Sequence, residues 1–370
     1  MKGNRGHSIY DGHVVLIFDE CHRSQFGDMH RYITRAFRNY HLFGLTGTPI
    51  YAENAPSSGK TNLRTTAQAF GDQLHCYTIV DAIRDGNVLP FRIDYINTFS
   101  VREGIENYDV EGIDTESAFM DRRRIGAIVS YILEHFDQKT KRSSSYELKD
   151  QRVSGFNSLL ATSSIKAARA YYREFERQQE DLPSDKRRSV GIIFSYAPND
   201  EAPGTGLLAE ESMDPSALSH DDRAFLDDAI ATYNDRFGTN FGTDASGFEN
   251  YYEHLSKALT EKRIDLVIVV DMFLTGFDSK TLNTLWVDKN LHAHGLIQAF
   301  SRTNRILNSV KTYGNIVCFR DLQKATEDAI KTFGDENSIN IILEKSYDEY
   351  IHGFKDEETG KTVKGYTEIC

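Results

Sequence analysis

Cysteine is scarce in this chain, and so is anything that would carry it through a membrane. The 370 residues hold four cysteines, Cys21, Cys76, Cys318 and Cys370, with no CxxC and no two close together. That spacing argues against a disulfide framework or a zinc knuckle and fits reduced thiols in a cytoplasmic protein. No apolar run reaches about 18 residues, so no helix is expected to span a membrane. The first ten residues lack the apolar stretch of a signal peptide. Positive charge is in deficit too: 43 Lys and Arg against 55 Asp and Glu give a formal net charge of −12. This disfavours a protein that simply coats nucleic acid, but not one that grips it along a single local groove. The basic clusters (Arg31, Arg35 and Arg38; residues 122–124, 139–142 and 186–188) read as solvated faces.

What is present is ordinary globular material. Hydrophobic residues are 39% and charged residues 26%, enough for a real core, and the length suggests two or three domains. Residues 14–18 form a short apolar run ending in Asp19-Glu20, which predicts a buried strand of a parallel sheet. Residues 29–37 predict a helix, and 41–45 a second strand closed by Thr46-Gly47-Thr48-Pro49. Strand, helix, strand with polar residues at the strand ends is βαβ logic, and ligands of such sheets sit at those carboxyl ends. Residues 51–66 read as a loop, 70–84 as short helices, 85–87 as a turn and 91–99 as extended chain. Residues 119–136 predict an amphipathic helix with Ile125, Ile128, Val129, Ile132 and Phe136 on one stripe. A second α/β unit follows. Strands are expected at 156–161, 190–196, 266–270, 285–287 and 315–319, with a helix at 165–179 capped by Ser163 or Ser164 and another at 295–307. Residues 197–222, rich in Pro, Gly, Ser and acids, read as an insertion.

Three segments carry chemistry. The acid pair Asp19-Glu20 at a strand end suits a magnesium–nucleotide site: one carboxylate holds the metal through water, and the other orients the attacking water. Gln298, Arg302 and Arg305, spaced i, i+4 and i+7, are expected on one face of the 295–307 helix. Two guanidiniums there suit a γ-phosphate whose charge grows on transfer. Between them, Asp271 leads into Thr275-Gly276-Phe277-Asp278, a strand end followed by a glycine turn.

The order Asp-Glu-x-His, Thr-Gly-Thr-Pro, Thr-Gly-Phe-Asp and Gln-x3-Arg-x2-Arg resembles motifs II, III, V and VI of superfamily 2 helicases and translocases. Thr162-Ser163-Ser164 looks like the start of motif IV. The strings DECHRSQ (19–25), LTGTPI (45–50), YTIVDAIRDGNVLPF (77–91) and LIQAFSRTNRI (296–306) narrow the resemblance to the restriction (R) subunit of type I restriction–modification enzymes, over about residues 10–330.

That resemblance implies an α/β protein of two RecA-like parallel-sheet lobes that close on ATP and Mg2+ and move double-stranded DNA. Asp19 would hold magnesium and Glu20 would orient water. His22, Thr46, Gly47 and Thr48 would couple nucleotide state to DNA contact. Gly276 and Asp278 would line the inter-lobe cleft with Gln298 at the nucleotide, and Arg302 and Arg305 would act on the γ-phosphate. Ser163 and Ser164 would hold a DNA phosphate at a helix N-terminus, although Ser164 reads equally well as a plain helix cap. Methylation (M) and specificity (S) subunits would be partners. The implied layout is a first lobe at 1–95, a connector at 96–117, a second lobe at 118–325 and the start of a C-terminal extension at 326–370.

The sequence departs from the family in one respect. A P-loop reads GxxxxGK[ST], and the nearby string Ser58-Gly59-Lys60-Thr61 has Asn54 where the first glycine belongs and follows residues 46–49. It is a loop decoy. The family's P-loop would lie before residue 1, leaving the first lobe truncated at its N-terminus, and the chain by itself would neither hydrolyse ATP nor cut DNA. Asp137 with Glu147-Leu148-Lys149 outlines a nuclease core but reads as a charged linker, and His292 and His294 read as loop histidines. Alternatives are another superfamily 2 helicase or remodeller, and a non-catalytic interaction module. Thr-Gly-Thr in place of Ser-Ala-Thr, and Ser301 in place of glycine, favour the type I resemblance over an RNA helicase.

Overall fold

The computed structural model of the chain describes residues 7–21, 28–51, 65–96, 98, 118–194, 218–334, 338–344, 347–355 and 362–369. Two parallel sheets organise them. The smaller pairs β1 (His13–Phe18) with β2 (Asn39–Gly44) from His13↔Asn39 to Phe18↔Gly44, with helix α1 (Asp28–Ala36) as the crossover. This is the expected βαβ unit. Its strands are not buried on both faces, however. Val15 and Ile17 are 52% and 65% exposed, and Phe43 and Leu45 are also exposed. The reason is local: β1 and β2 alternate half-buried and exposed positions, and their inner face alone meets neighbours such as α2 (Thr66–Phe70). Gly44 is required at that contact, because a Cβ there would lie 2.8 Å from Cys21 Sγ and 2.9 Å from the Phe70 ring.

The larger sheet has six parallel strands in the order β3-β10-β9-β6-β8-β7. These are β3 (Phe91–Tyr95), β6 (Asn157–Thr162), β7 (Val190–Phe194), β8 (Leu266–Val270), β9 (Leu282–Asp288) and β10 (Gly314–Cys318). Every residue of β6, β8, β9 and β10 is buried, as strands covered on both faces require. Together the two sheets realise the expected pair of parallel α/β units.

Helix α3 (Ile79–Arg84) starts at a capping box between Thr78 and Asp81, and its chain runs on into β3. Helix α4 (Arg122–Lys139) buries the predicted stripe of Ile125, Ile128, Val129, Ile132 and Phe136. Helix α5 (Ile165–Gln179) joins β6 to β7, and α6 (His220–Phe237) and α7 (Ala245–Thr260) lie between β7 and β8. The residues of the expected insertion up to 217 lie outside the described residues, but its last three open α6, which Ser219 caps through the Asp222 amide.

Strand β3 changes the expected division of the chain. A boundary at 95 would leave residues 91–95 with the first lobe, yet β3 pairs with β10 from Phe91↔Gly314 to Tyr95↔Cys318. The start of the expected connector, and the residues that follow it, also lie against the larger sheet. Arg124 Nε donates to Thr98 Oγ1 (3.0 Å) and its Nη1 to the Phe119 carbonyl (3.2 Å), while Thr98 Oγ1 donates to the Phe319 carbonyl (2.9 Å). The stretch 99–117 between those anchors is outside the described residues.

The charged segment near 147 is a hairpin, β4 (Ser145–Leu148) with β5 (Gln151–Ser154). Lys149 and Asp150 both take positive φ (44° and 64°), as a two-residue hairpin turn of this hand demands. Tyr146 anchors the hairpin, stacked 5.0 Å from Phe156 with its hydroxyl donating to the Gly155 carbonyl. After β10, helix α9 (Gln323–Phe333) buries Thr326, Ala329, Ile330 and Phe333. The chain then passes through α10 (Ile339–Ile342) and returns to the sheet edge, where the Glu344 amide donates to the Phe91 carbonyl (2.7 Å).

Candidate functional site

The carboxyl end of β1 is fixed by its neighbour. The Leu45 amide donates to the Phe18 carbonyl (2.8 Å) and the Cys21 amide to the Leu45 carbonyl (3.1 Å). Asp19 and Glu20 therefore turn outward beside the end of β2. Glu20 has φ +47°, its amide donates to Asp19 Oδ1 (2.9 Å), and both residues are exposed. Adjacent exposed carboxylates at a strand end are hard oxygen donors that fit magnesium with most of its water retained. Cys21 beside them is buried, and burial first, with the two acids adding, pushes its thiol up to about 11. It is therefore a packed thiol, not a nucleophile. His22 lies outside the described residues.

The Thr46-Gly47-Thr48-Pro49 segment follows directly. Thr46 Oγ1 accepts from the Thr48 amide (3.0 Å), and Thr48 is 3% exposed. It is buried against the larger sheet's unit, at helix α8 (Ala293–Phe300). Gln298 Nε2 approaches Thr48 Oγ1 at 3.5 Å, and His294 Nε2 lies 3.3 Å from the Pro49 carbonyl oxygen. One helical turn separates His294 from Gln298, so the same face of α8 makes both contacts. His294 is thus a buried helix residue and not a loop histidine. Its ring meets Phe333 edge-on at 4.9 Å. Burial lowers its pKa below the usual histidine value, against the Pro49 and Thr48 carbonyls, which favour the protonated ring.

The expectation that Gln298, Arg302 and Arg305 share one helix face is corrected by the structure. Helix α8 ends at Phe300. Thr303 stops it, its amide and hydroxyl both donating to the Phe300 carbonyl (2.9 and 2.7 Å), and the Asn304 carbonyl instead accepts from the Leu89 amide (2.8 Å). Arg302 sits in the closing turn and Arg305 beyond it. Both guanidiniums still converge, on the loop after β8. Arg302 Nη1 donates to the Phe277 carbonyl (2.6 Å), and Arg305 Nε pairs with Asp278 Oδ1 (2.9 Å). The second pair is about half exposed, which makes it a weak tether and not a lock. Gly276 holds φ +72° in that loop, the left-handed conformation glycine tolerates.

Two ion pairs at the carboxyl end of the larger sheet were not foreseen by sequence reasoning, which named Asp271 only as a strand end. Asp271, at φ +63° after β8, pairs with Lys289 Nζ at 2.7 Å, both side chains about 5% exposed or less. Asp288, at the end of β9, receives both Nη atoms of Arg124 (2.9 and 2.6 Å), Arg320 Nε (2.7 Å) and the Tyr171 hydroxyl (2.7 Å). Burial pushes the Asp288 carboxyl up, and these donors more than offset it, leaving it below the usual carboxylate range. The available signal was Asp288-Lys289 itself, a charged pair closing an apolar strand. Arg124, read as part of a solvated cluster, is 7% exposed.

Ser164 is the N-cap of α5, its Oγ accepting from the Ala167 amide (3.2 Å). Ser163 precedes it, partly buried, at the same end of the sheet.

Comparison with known proteins gives these elements a family context. A SWI2/SNF2 ATPase family model matches residues 4–123, and the model of type I restriction enzyme subunit R domain 3 matches residues 154–321. The endonuclease subunit of the type I restriction enzyme SauCOLORF180P of Staphylococcus aureus (strain COL) is 42% identical over 349 residues, covering 93% of this chain and 34% of the relative. The SsaAORF53P endonuclease subunit of Staphylococcus saprophyticus is 42% identical over 347 residues, again 93% of this chain and 34% of the relative. The chain thus spans about a third of the length of these relatives. Among solved structures, a fragment described as the HsdR subunit of a type I restriction enzyme from Vibrio vulnificus YJ016 matches with a TM-score of 0.51 at 16% identity, over 87% of this chain and 46% of that one, a likeness of fold.

Proposed function

Because this chain belongs to the R-subunit family of type I restriction–modification enzymes, we propose that it is part of an ATP-driven motor that moves double-stranded DNA within a restriction complex. The observation that carries the reading is the joining of four dispersed segments at the carboxyl ends of two parallel sheets. Phe18 and Cys21, flanking Asp19-Glu20, are tied to Leu45, Thr48 meets Gln298, and Arg302 and Arg305 hold residues 277 and 278. Ligands of parallel α/β sheets bind at such ends.

In this reading, bound ATP supplies the phosphoryl group, with Mg2+ neutralising its charge. Asp19 holds the metal's water shell and Glu20 orients the attacking water. Gln298, Gly276 and Asp278 line the nucleotide cleft. Arg302 and Arg305 exchange their contacts with residues 277–278 for the growing phosphate charge. Thr46, Gly47, Thr48 and His22 transmit the change between the units. Ser163 and Ser164 take a DNA phosphate at the start of α5, so DNA contact is sequence-independent and salt-sensitive. Methylation and specificity subunits are the partners, and the cytoplasm is the compartment. The 370 residues contain no GxxxxGK[ST] string, and the chain by itself is proposed to turn over no ATP.

The test is DNA-stimulated ATP hydrolysis by a chimera in which this chain replaces the matching stretch of the Staphylococcus aureus relative. The chimera is expected to hydrolyse ATP, and Glu20→Gln or Arg305→Ala to lower the rate at least about a hundredfold. Hydrolysis unaffected by Glu20→Gln sinks the assignment of the acid pair.

A further inference from the structure

Helix α8 carries a second polar side chain aimed at residues 46–49, and it lies outside the Gln-x3-Arg-x2-Arg motif. His294 is 1% exposed and sits one turn ahead of Gln298. Its Nε2 lies 3.3 Å from the Pro49 carbonyl oxygen. A carbonyl only accepts, so the ring must carry its proton on Nε2 to make this bond. Gln298 reaches the neighbouring Thr48 hydroxyl at 3.5 Å, a longer contact than the one the imidazole makes to Pro49. The ring is held in turn: Phe333 of α9 packs edge-on against it at 4.9 Å, which restricts its rotation. The segment it grips has an internal tie, the Thr48 amide donating to Thr46 Oγ1, and its far end is held by the Ile50 amide donating to Thr66 Oγ1 (2.8 Å), so the bond to Pro49 adds a hold on its backbone from helix α8.

We propose that His294 is the positioning residue that seats the Thr46-Gly47-Thr48-Pro49 segment on helix α8, by an Nε2–H bond to the Pro49 backbone. The bond reads a carbonyl and not a side chain, so it fixes where the segment lies without depending on which residue occupies position 49. The significance of this seat rests on the motor reading above. A displacement of α8 and its Gln298 would drag the 46–49 segment, and with it the end of β2 beside Asp19 and Glu20.

The experiment uses the 370-residue chain and needs neither ATP nor DNA, so its failure is separate from failure of the motor reading, which the hydrolysis assay decides alone. Amide hydrogen exchange is compared for wild type, His294→Leu, which keeps apolar bulk against Phe333 but donates nothing, and His294→Gln, whose amide nitrogen can take the place of Nε2. Exchange of the Thr48 and Ile50 amides is expected to rise about three- to tenfold in the leucine variant, the loss of one buried hydrogen bond. Protection in β6, β8 and β9 should hold, and the glutamine variant should stay within about twofold of wild type. No change in the leucine variant, or equal changes in both, overturns the proposal. Should the leucine variant lose protection throughout the larger sheet, nitrogen NMR of the wild-type imidazoles decides instead. The resonance absent from His294→Gln is expected to be protonated at Nε2, and a ring protonated only at Nδ1 overturns the proposal.

Discussion

Asp288 pairs with two buried guanidiniums, and replacing it with asparagine removes the charge at constant shape. Arg124 and Arg320 are each 7% exposed and Asp288 is 2% exposed. Taking away one partner of a buried ion pair costs about 3–5 kcal/mol, because the opposite charge stays behind unpaired. Here two stay behind, and the Tyr171 hydroxyl loses a charged acceptor for a neutral one. For a unit of roughly 200 residues, each kcal/mol moves Tm by about 2–4 °C, so a fall of about 6–20 °C is expected. The readout is built in: Trp286, the only tryptophan, is fully buried two residues before Asp288. Its fluorescence during denaturant unfolding reports the larger sheet directly. Adding Arg320→Met to Asp288→Asn should return part of the loss, since one stranded charge goes, giving a coupling of about 1–3 kcal/mol between the sites. A single-variant cost below about 1 kcal/mol, or strict additivity in the double variant, would show that the cluster is held by packing and that the electrostatic reasoning is wrong.

Other consequences are as direct. Asp265 accepts from the Ser189 amide and hydroxyl and from Arg142. Burial raises its carboxyl while Lys262, Arg142 and Ser189 outweigh it, bringing it down to about 2 from 3.8. A depressed carboxyl stabilises the fold above its unfolded value and ceases to as pH falls from about 4 to about 2. Asp265→Asn should therefore remove about 2–3 kcal/mol at neutral pH, and the gap to wild type should close on acidification in denaturant titrations. Ser164→Ala removes the α5 cap and should cost about 1 kcal/mol, with Ser164→Asp recovering most of it by the same measurement. Gly314→Ala places a Cβ 2.3 Å from Thr303 Oγ1 and 3.2 Å from the Phe91 ring, so unfolding should show a loss of at least about 1–3 kcal/mol. An unchanged midpoint there would mean that the turn after α8 yields freely.

What the sequence disclosed, it disclosed where the cause is local. Residues 266–270 are uninterruptedly apolar and form β8 as expected, because a strand covered on both faces has no polar side to show. The predicted helix over 165–179 coincides with α5, since Ser164 announces its start in the same few residues. The errors arise where distant chain decides. Residues 91–95 were legible as extended, but nothing near them specifies β10 as their partner. The 295–307 periodicity continues past Phe300, yet the Leu89 amide claims the Asn304 carbonyl and the helix stops. Helices α6 and α7 were not predicted: aspartates interrupt the apolar pattern of α6, although Ser219 with Asp222 marks its start, whereas α7 carries a buried stripe of Phe248, Tyr251 and Leu255 that went unread. Within the candidate site, Thr48, Gln298, Arg302, Arg305 and Asp278 were all named from the motifs. Lys289, Asp288 and the grip of His294 were not, because each gains its meaning from a partner on another strand or helix.

The edge position of β3 bears on how the chain is made. Its partner β10 is encoded far downstream, and the corner that joins them brings Thr98 to Phe319 across 221 positions. At ribosomal speeds of about 5–20 residues per second, β3 waits roughly 10–45 seconds before β10 exists. During that interval Phe91 and Ile93 sit on a strand with an open hydrogen-bonding edge, the kind of surface that recruits other chains. The larger sheet thus closes late in synthesis, and nascent chains stalled before residue 314 are expected to be the aggregation-prone species of this protein.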